Sequence, residues 1–171
     1  MRGKVLCSEV IGELDFTSYF WLLVTGAMPS KAQQALANAV LCAIAEHGLV
    51  PSVVAARMTF AAAPEAFHGA VAAGLLGCGS VVLGSAEVAG RFYARVVAEA
   101  EASGADPAQA ASAAVKALRA EKQAIPGFGH PQHSAGDPRA HRLLALAREH
   151  GMEGKHIAML RTIEAVLPEA I

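Results

Sequence analysis

The residues best suited to chemistry lie between Pro126 and Arg139. Pro126-Gly127-Phe128-Gly129-His130 is followed shortly by Gly136-Asp137-Pro138-Arg139. Glycines on both sides of Phe128 let the backbone bend and come close to a ligand, and an imidazole at His130 can donate a hydrogen bond to a carbonyl or carboxylate. Arg139 offers a planar fork that matches a carboxylate. Asp137-Pro138 reads as the cap and first residue of a helix, which places Arg139 in a first turn, where free N–H groups also favour an anion. Recognition of a carbonyl or carboxylate group is the chemistry open to such a set. The same residues also fit a plain turn with Arg139 paired to a surface carboxylate, since loops carry function often but not always.

The elements that must position this segment are helices. Alanine is the commonest residue, β-branched alternation is scarce, and helix-boundary signals recur along the chain. Asp15 is placed to cap a helix through Phe16, Phe20, Leu23 and Val24 that Gly26 ends, and Ser30 to cap the next, from Lys31 to about Glu46, with Leu36, Val40, Ala43 and Ile44 on one stripe. Ser52 is expected to cap a helix over 53–62, and Pro64 to begin another carrying Phe67, Val71 and Leu75. On that helix Gly69, Ala73 and Gly77 recur every four residues, a small-residue face that suits a buried helix or a dimer seam. Further helices are expected from Ser85 to near Gly104, from Asp106-Pro107 to about Glu121, from Asp137-Pro138, and over 157–166. Residues 122–136 hold too many glycines and prolines for one.

Composition narrows the partners. With 14 Lys+Arg against 15 Asp+Glu the net charge is -1, so no basic field draws nucleic acid. The basic start Met1-Arg2-Gly3-Lys4 is not followed by a secretory apolar run. Residues 69–86 carry no charge, but their glycines argue against a membrane span. Cys7, Cys42 and Cys78 are odd in number and set among apolar or small residues, which suits reduced core thiols and a cytoplasmic protein. His68 reads as a buried or interface histidine, and His133, His141, His150 and His156 as solvated. His130 and His133 alone do not complete a metal site, so no metal is expected.

Taken in order, these pieces resemble the citrate synthase-like superfamily, nearest its short citryl-CoA lyase-type proteins. Pro126-Gly127-Phe128-Gly129-His130 through Asp137-Pro138-Arg139 is similar to the family's G-[FY]-G-H…D-P-R segment. Glu46-His47-Gly48-Leu49 through Ser52 and Arg57 resembles its H-E-L-N-A-S-T-F-T-A-R stretch, with Val50-Pro51-Ser52-Val53 departing from it. Arg2-Gly3 through Phe16, Leu23, Gly26 and Pro29 resembles its R-G…F…L-L…G-x-x-P run.

The resemblance implies an all-α fold with a larger lobe over residues 1–90 and a smaller lobe over 91–171 carrying the Gly-Phe-Gly-His loop, a pocket between lobes, and a homodimer. It implies coenzyme A or acetyl-CoA as substrate at Pro126, Gly127, Phe128 and Gly129. Oxaloacetate or citrate would be held by His47, His130 and Arg139, with His47 and His130 also catalytic. Two departures bear on turnover. Where the family's G-P-L-H-G-G-A-N-E motif has its thioester-polarising histidine, the segment Gly79-Ser80-Val81-Val82-Leu83-Gly84-Ser85-Ala86-Glu87 places Val82. No residue up to Ile171 matches the family's catalytic aspartate, so a C-terminally shortened chain is expected. A general acid–base group and an oxyanion donor each contribute roughly 10² to 10⁴-fold, so binding without turnover is the competing expectation.

Overall fold

A computed structural model describes residues 1–46, 48–79, 81, 83–129 and 136–170, with the side chains of 169 and 170 left aside. His47, Ser80, Val82 and His130 through Ala135 therefore lie outside the described residues, as does Ile171. Among the described residues the fold is all-α. Its helices are α1 (Leu6–Glu9), α2 (Phe16–Thr25), α3 (Lys31–Ile44), α4 (Pro51–Ala62), α5 (Phe67–Leu76), α6 (Ser85–Ser103), α7 (Pro107–Ala120), α8 (Pro138–Glu149) and α9 (Lys155–Ala170).

Most helix starts are set by the expected caps. The Asp15 carboxylate accepts from Ser18 N–H at 3.0 Å. Ser30 and Gln33 form a reciprocal capping box. Asp106 accepts from the N–H groups of Ala108 and Gln109. Gly26 ends α2 and Gly104 ends α6, both in the left-handed region. Two starts differ from expectation. Pro51, whose fixed φ suits a first helical position, begins α4 after Val50, and Ser52 lies inside the helix and buried. Residues 63–66 form a turn closed by Ala66 N–H on the Ala63 carbonyl at 3.0 Å, so α5 begins at Phe67 and not at Pro64.

The chain divides into two compact units, one of Met1–Glu46 with Ala135–Glu153, the other of His47–Ser134 with Gly154–Ile171. The expected lobe boundary after residue 90 falls inside α6, so these units and the expected lobes are different partitions of the chain. In the first unit α3 packs against both α2 and α8. The Thr17 hydroxyl bonds to the Asn38 side chain at 3.0 Å, and Gln34 donates to Asp15 at 2.6 Å, tying α2 to α3. The Arg2 guanidinium donates twice to the Leu23 carbonyl, so it closes the end of α2.

In the second unit α6, α7 and α9 enclose a core of Phe92, Val96, Val97, Ala111, Ala114, Val115, Ile125, Met159 and Ile163. The α4–α5 pair packs through glycine: a Cβ on Gly74 would lie 3.1 Å from Ala56 Cβ, and one on Gly77 would lie 3.3 Å from Ser52 Cα. Small residues of α5 are thus used against α4 within the unit. The apolar residues carried by the same helix, Phe67, Val71 and Leu75, form an open stripe at 67%, 44% and 66% exposure. Val40 and Ile44 of α3 are likewise exposed, and with them Cys42. Cys7 is also exposed, and only Cys78 is partly covered, its thiol near the Gly74 carbonyl at 3.3 Å. The core-thiol expectation therefore fails for Cys7 and Cys42, because the apolar residues around them do not close over them. His68 is exposed in this chain too, and His141, His150 and His156 are solvated as expected. Among the described residues no helix is long and apolar enough to cross a membrane.

Candidate functional site

The 126–129 loop belongs to the second unit and grows out of its core. Ile125 is buried, and Phe128 packs on the same cluster while its N–H closes a turn on the Ile125 carbonyl at 3.2 Å. Gly127 has φ +85° and Gly129 φ +93°, backbone that L side chains rarely adopt, so both glycines are required by the turn. A Cβ on Gly127 would collide with the Tyr93 hydroxyl and sit 3.2 Å from Ala89 Cβ, whereas one on Gly129 would meet nothing within 4 Å among the described residues. The Tyr93 hydroxyl donates to the Pro126 carbonyl at 3.3 Å. Burial pushes the Tyr93 phenol above its ordinary pKa, so it remains a neutral donor.

Residues 136–139 belong to the first unit. Gly136 has φ +101°, and Asp137 caps α8 by accepting from Arg139 N–H at 2.9 Å. The same carboxylate takes Arg139 Nε at 3.0 Å and Nη2 at 2.7 Å, a side-on bidentate pair. Asp137, and more weakly Glu46, hold the guanidinium above its ordinary pKa and fully charged. The free helix N-terminus expected beside Arg139 is therefore partly filled: the Asp137 carboxylate occupies the place an incoming anion would take. Arg139 keeps its Nη1 edge unbonded among the described residues and is 40% exposed. The surface-carboxylate reading of Arg139 has its ion pair here, and the ligand reading keeps a free edge.

The described residues of the segment resembling the histidine motif belong to the second unit. Gly84 N–H bonds to the Gly79 carbonyl at 2.8 Å, and Gly79 and Leu83 form a single bridge. Leu83 has φ +70°, left-handed backbone at the position where the resembled motif carries glycine. Beside them a surface hollow of about 560 Å³ is lined by Cys78, Gly79, Leu83, Gly84, Glu87 and Arg91. Ser85 opens α6 and is exposed; Glu87 pairs with Arg91 at 2.8 Å.

His47 and His130, the two expected catalytic residues, lie outside the described residues. Arg139 and Asp137 are brought together in one unit, and Pro126 through Gly129 are brought together with Tyr93 in the other. Arg57 is exposed on α4. Sequence reasoning missed Tyr93 and Ala89. The available signal was the adjacent pair Phe92-Tyr93: consecutive helical residues point about 100° apart, so only one of them faces the core squarely. Among the described residues no group of three or more His, Cys, Asp or Glu could hold a metal ion.

A family model described as citrate synthase, C-terminal domain, matches residues 2–171. Among solved structures, citryl-CoA lyase from Hydrogenobacter thermophilus superposes with a TM-score of 0.82 at 30% identity, over 95% of this chain and 60% of that one. The chain thus spans about 60% of the length of that relative. No match was found among curated proteins.

Proposed function

The chain belongs to the citrate synthase family, and we propose that it acts on a CoA thioester together with oxaloacetate or citrate, making or breaking a carbon–carbon bond. In this reading the open side of the Gly127–Gly129 loop meets the thioester through backbone groups. Arg139 offers its free edge to a ligand carboxylate, and His47 and His130 hold and polarise the keto acid. The observation that carries the reading is the 126–129 turn itself. Two left-handed glycines, one jammed against Tyr93 and the other with no neighbour among the described residues, suit close approach of a ligand to backbone, and they lie in the segment that resembles the family's G-[FY]-G-H motif.

A second reading, a non-catalytic binder of the same ligands, is favoured by Val82, which cannot donate a hydrogen bond where the family has its second histidine. Thiol release from acetyl-CoA plus oxaloacetate, run beside citryl-CoA cleavage, separates the two. Turnover that disappears in His130→Ala supports the enzyme. Saturable acetyl-CoA binding with no thiol release supports the binder, and neither turnover nor binding defeats both.

The reading also takes the chain as a cytoplasmic homodimer with the 1–90 and 91–171 lobes of its family. Support for the dimer comes from the exposed Phe67/Val71/Leu75 stripe and not from the glycine face, which α4 already occupies. Sedimentation of Phe67→Asp/Leu75→Asp tests it: a shift from dimer to monomer is expected, and an unsubstituted chain that sediments as a monomer refutes it.

A further inference from the structure

Helix α6 carries Phe92 and Tyr93 in succession, with ring centroids 5.9 Å apart. Phe92 is 5% exposed in the core, and the turn of about 100° to the next residue brings Tyr93 to the flank of that core, where its hydroxyl meets the Pro126 carbonyl. A trans peptide is planar, with its C=O and N–H opposed. Anchoring the Pro126 carbonyl on Tyr93 therefore aims the Gly127 N–H away from α6. That N–H, like the Gly129 N–H, has no partner among the described residues. Three constraints converge on the loop: the phenol holds the Pro126 carbonyl, the same phenol leaves no room for a Cβ at Gly127, and Phe128 is seated on the core with its N–H on Ile125. Past them, a Cβ on Gly129 would meet nothing within 4 Å among the described residues. The loop is clamped on one half and open on the other.

We infer that Tyr93 is the positioning residue of the 126–129 loop, aiming its unbonded N–H groups at the ligand without touching the ligand itself. The inference rests on the proposed thioester reading for what the loop binds, but the clamp can be measured with no ligand present. Amide hydrogen exchange at Phe128, whose N–H is bonded to the Ile125 carbonyl, melting, and acetyl-CoA affinity are measured on the full chain and on Tyr93→Phe, Gly127→Ala and the double variant. Tyr93→Phe keeps the ring and removes one neutral hydrogen bond, so exchange in the loop accelerates about fivefold and acetyl-CoA binds about fivefold more weakly. Gly127→Ala weakens binding further. Adding Tyr93→Phe to it restores part of that loss, because the atom that the new Cβ strikes first is gone; a merely structural tyrosine would give additive losses.

Equal exchange in the unsubstituted chain and in Tyr93→Phe, or strict additivity in the double variant, overturns the positioning role whatever the ligand does. Accelerated exchange in a chain that does not bind acetyl-CoA instead overturns the thioester reading and leaves the clamp established.

Discussion

Replacing Leu83 by glycine and, separately, by alanine tests whether the chain holds its backbone left-handed at residue 83 by force. Both variants lose the leucine side chain, which is 55% exposed, so their difference isolates the backbone. In ordinary helical or extended backbone, glycine is less stable than alanine by roughly 0.5–1 kcal/mol, because it has more freedom to lose on folding. At φ +70° the order reverses. Crowding of Cβ against the carbonyl oxygen costs about 1–2 kcal/mol for alanine and nothing for glycine. Subtracting the extra entropy of glycine leaves Leu83→Gly more stable than Leu83→Ala by roughly 0.5–1 kcal/mol. For a chain of this size that separates the two melting temperatures by about 1–4 °C. Thermal unfolding followed by circular dichroism reads it directly. An alanine variant as stable as the glycine variant, or more so, would show that the backbone is not left-handed at residue 83, and the argument from it would fall.

Three other substitutions probe the rest of the molecule. Ile163 is fully buried among α6, α7 and α9, so Ile163→Ala costs about 2–5 kcal/mol in denaturant unfolding; a change below about 1 kcal/mol would mean this core is not closed. The Asp15 carboxyl is held below the usual carboxylate range by Ser18, through both its hydroxyl and its N–H, and by Gln34. Its contribution is therefore present above the unfolded pKa and is lost as pH falls through the lower folded value. Asp15→Asn, which keeps the cap, is expected to be less stable than the unsubstituted chain near neutral pH, with the gap closing below about pH 4 in acid titrations; a gap independent of pH refutes that linkage. Arg139→Ala weakens oxaloacetate binding at least about tenfold, and Arg139→Lys restores only part because its ammonium cannot reproduce the fork; unchanged isothermal titration curves would leave Arg139 as the partner of Asp137 alone.

Much of the fold was legible because caps and breakers act locally. Asp15, Ser30, Asp106 and Asp137 each begin a helix through a bond to an N–H two or three residues on, which a sequence displays directly. Where the structure departs from the sequence reading, the cause is local in one case and a distant partner in the others. Pro51 against Ser52 was a local competition that the fixed φ of proline won. The use of Gly74 and Gly77 depended on α4 coming to lie against them, which no spacing within α5 reveals. The exposure of Phe67, Val71 and Leu75 marks the same limit: periodicity shows that a face is apolar but not what covers it.

The site was legible as words and less so as geometry. Gly127 and Gly129 were singled out for their freedom, and the left-handed φ of both bears that out. What holds them there, Tyr93, stands 33 positions before Pro126 and reached the loop only through the packing of α6. Arg139 is the harder case, because the ion pair and the ligand role looked exclusive in sequence and are not so in the structure. A side-on pair through Nε and Nη2 fixes the plane of the guanidinium and leaves Nη1 pointing out of the pair. An arginine restrained in this way loses little further freedom when a second carboxylate arrives, whereas an unpaired one would have to be ordered first. In the proposed reading, the Asp137 carboxylate that fills the anion position at the start of α8 would thus also prepare Arg139 to bind elsewhere. Asp137→Ala would be expected to weaken ligand binding through disorder of Arg139 and not to strengthen it by removing a competitor.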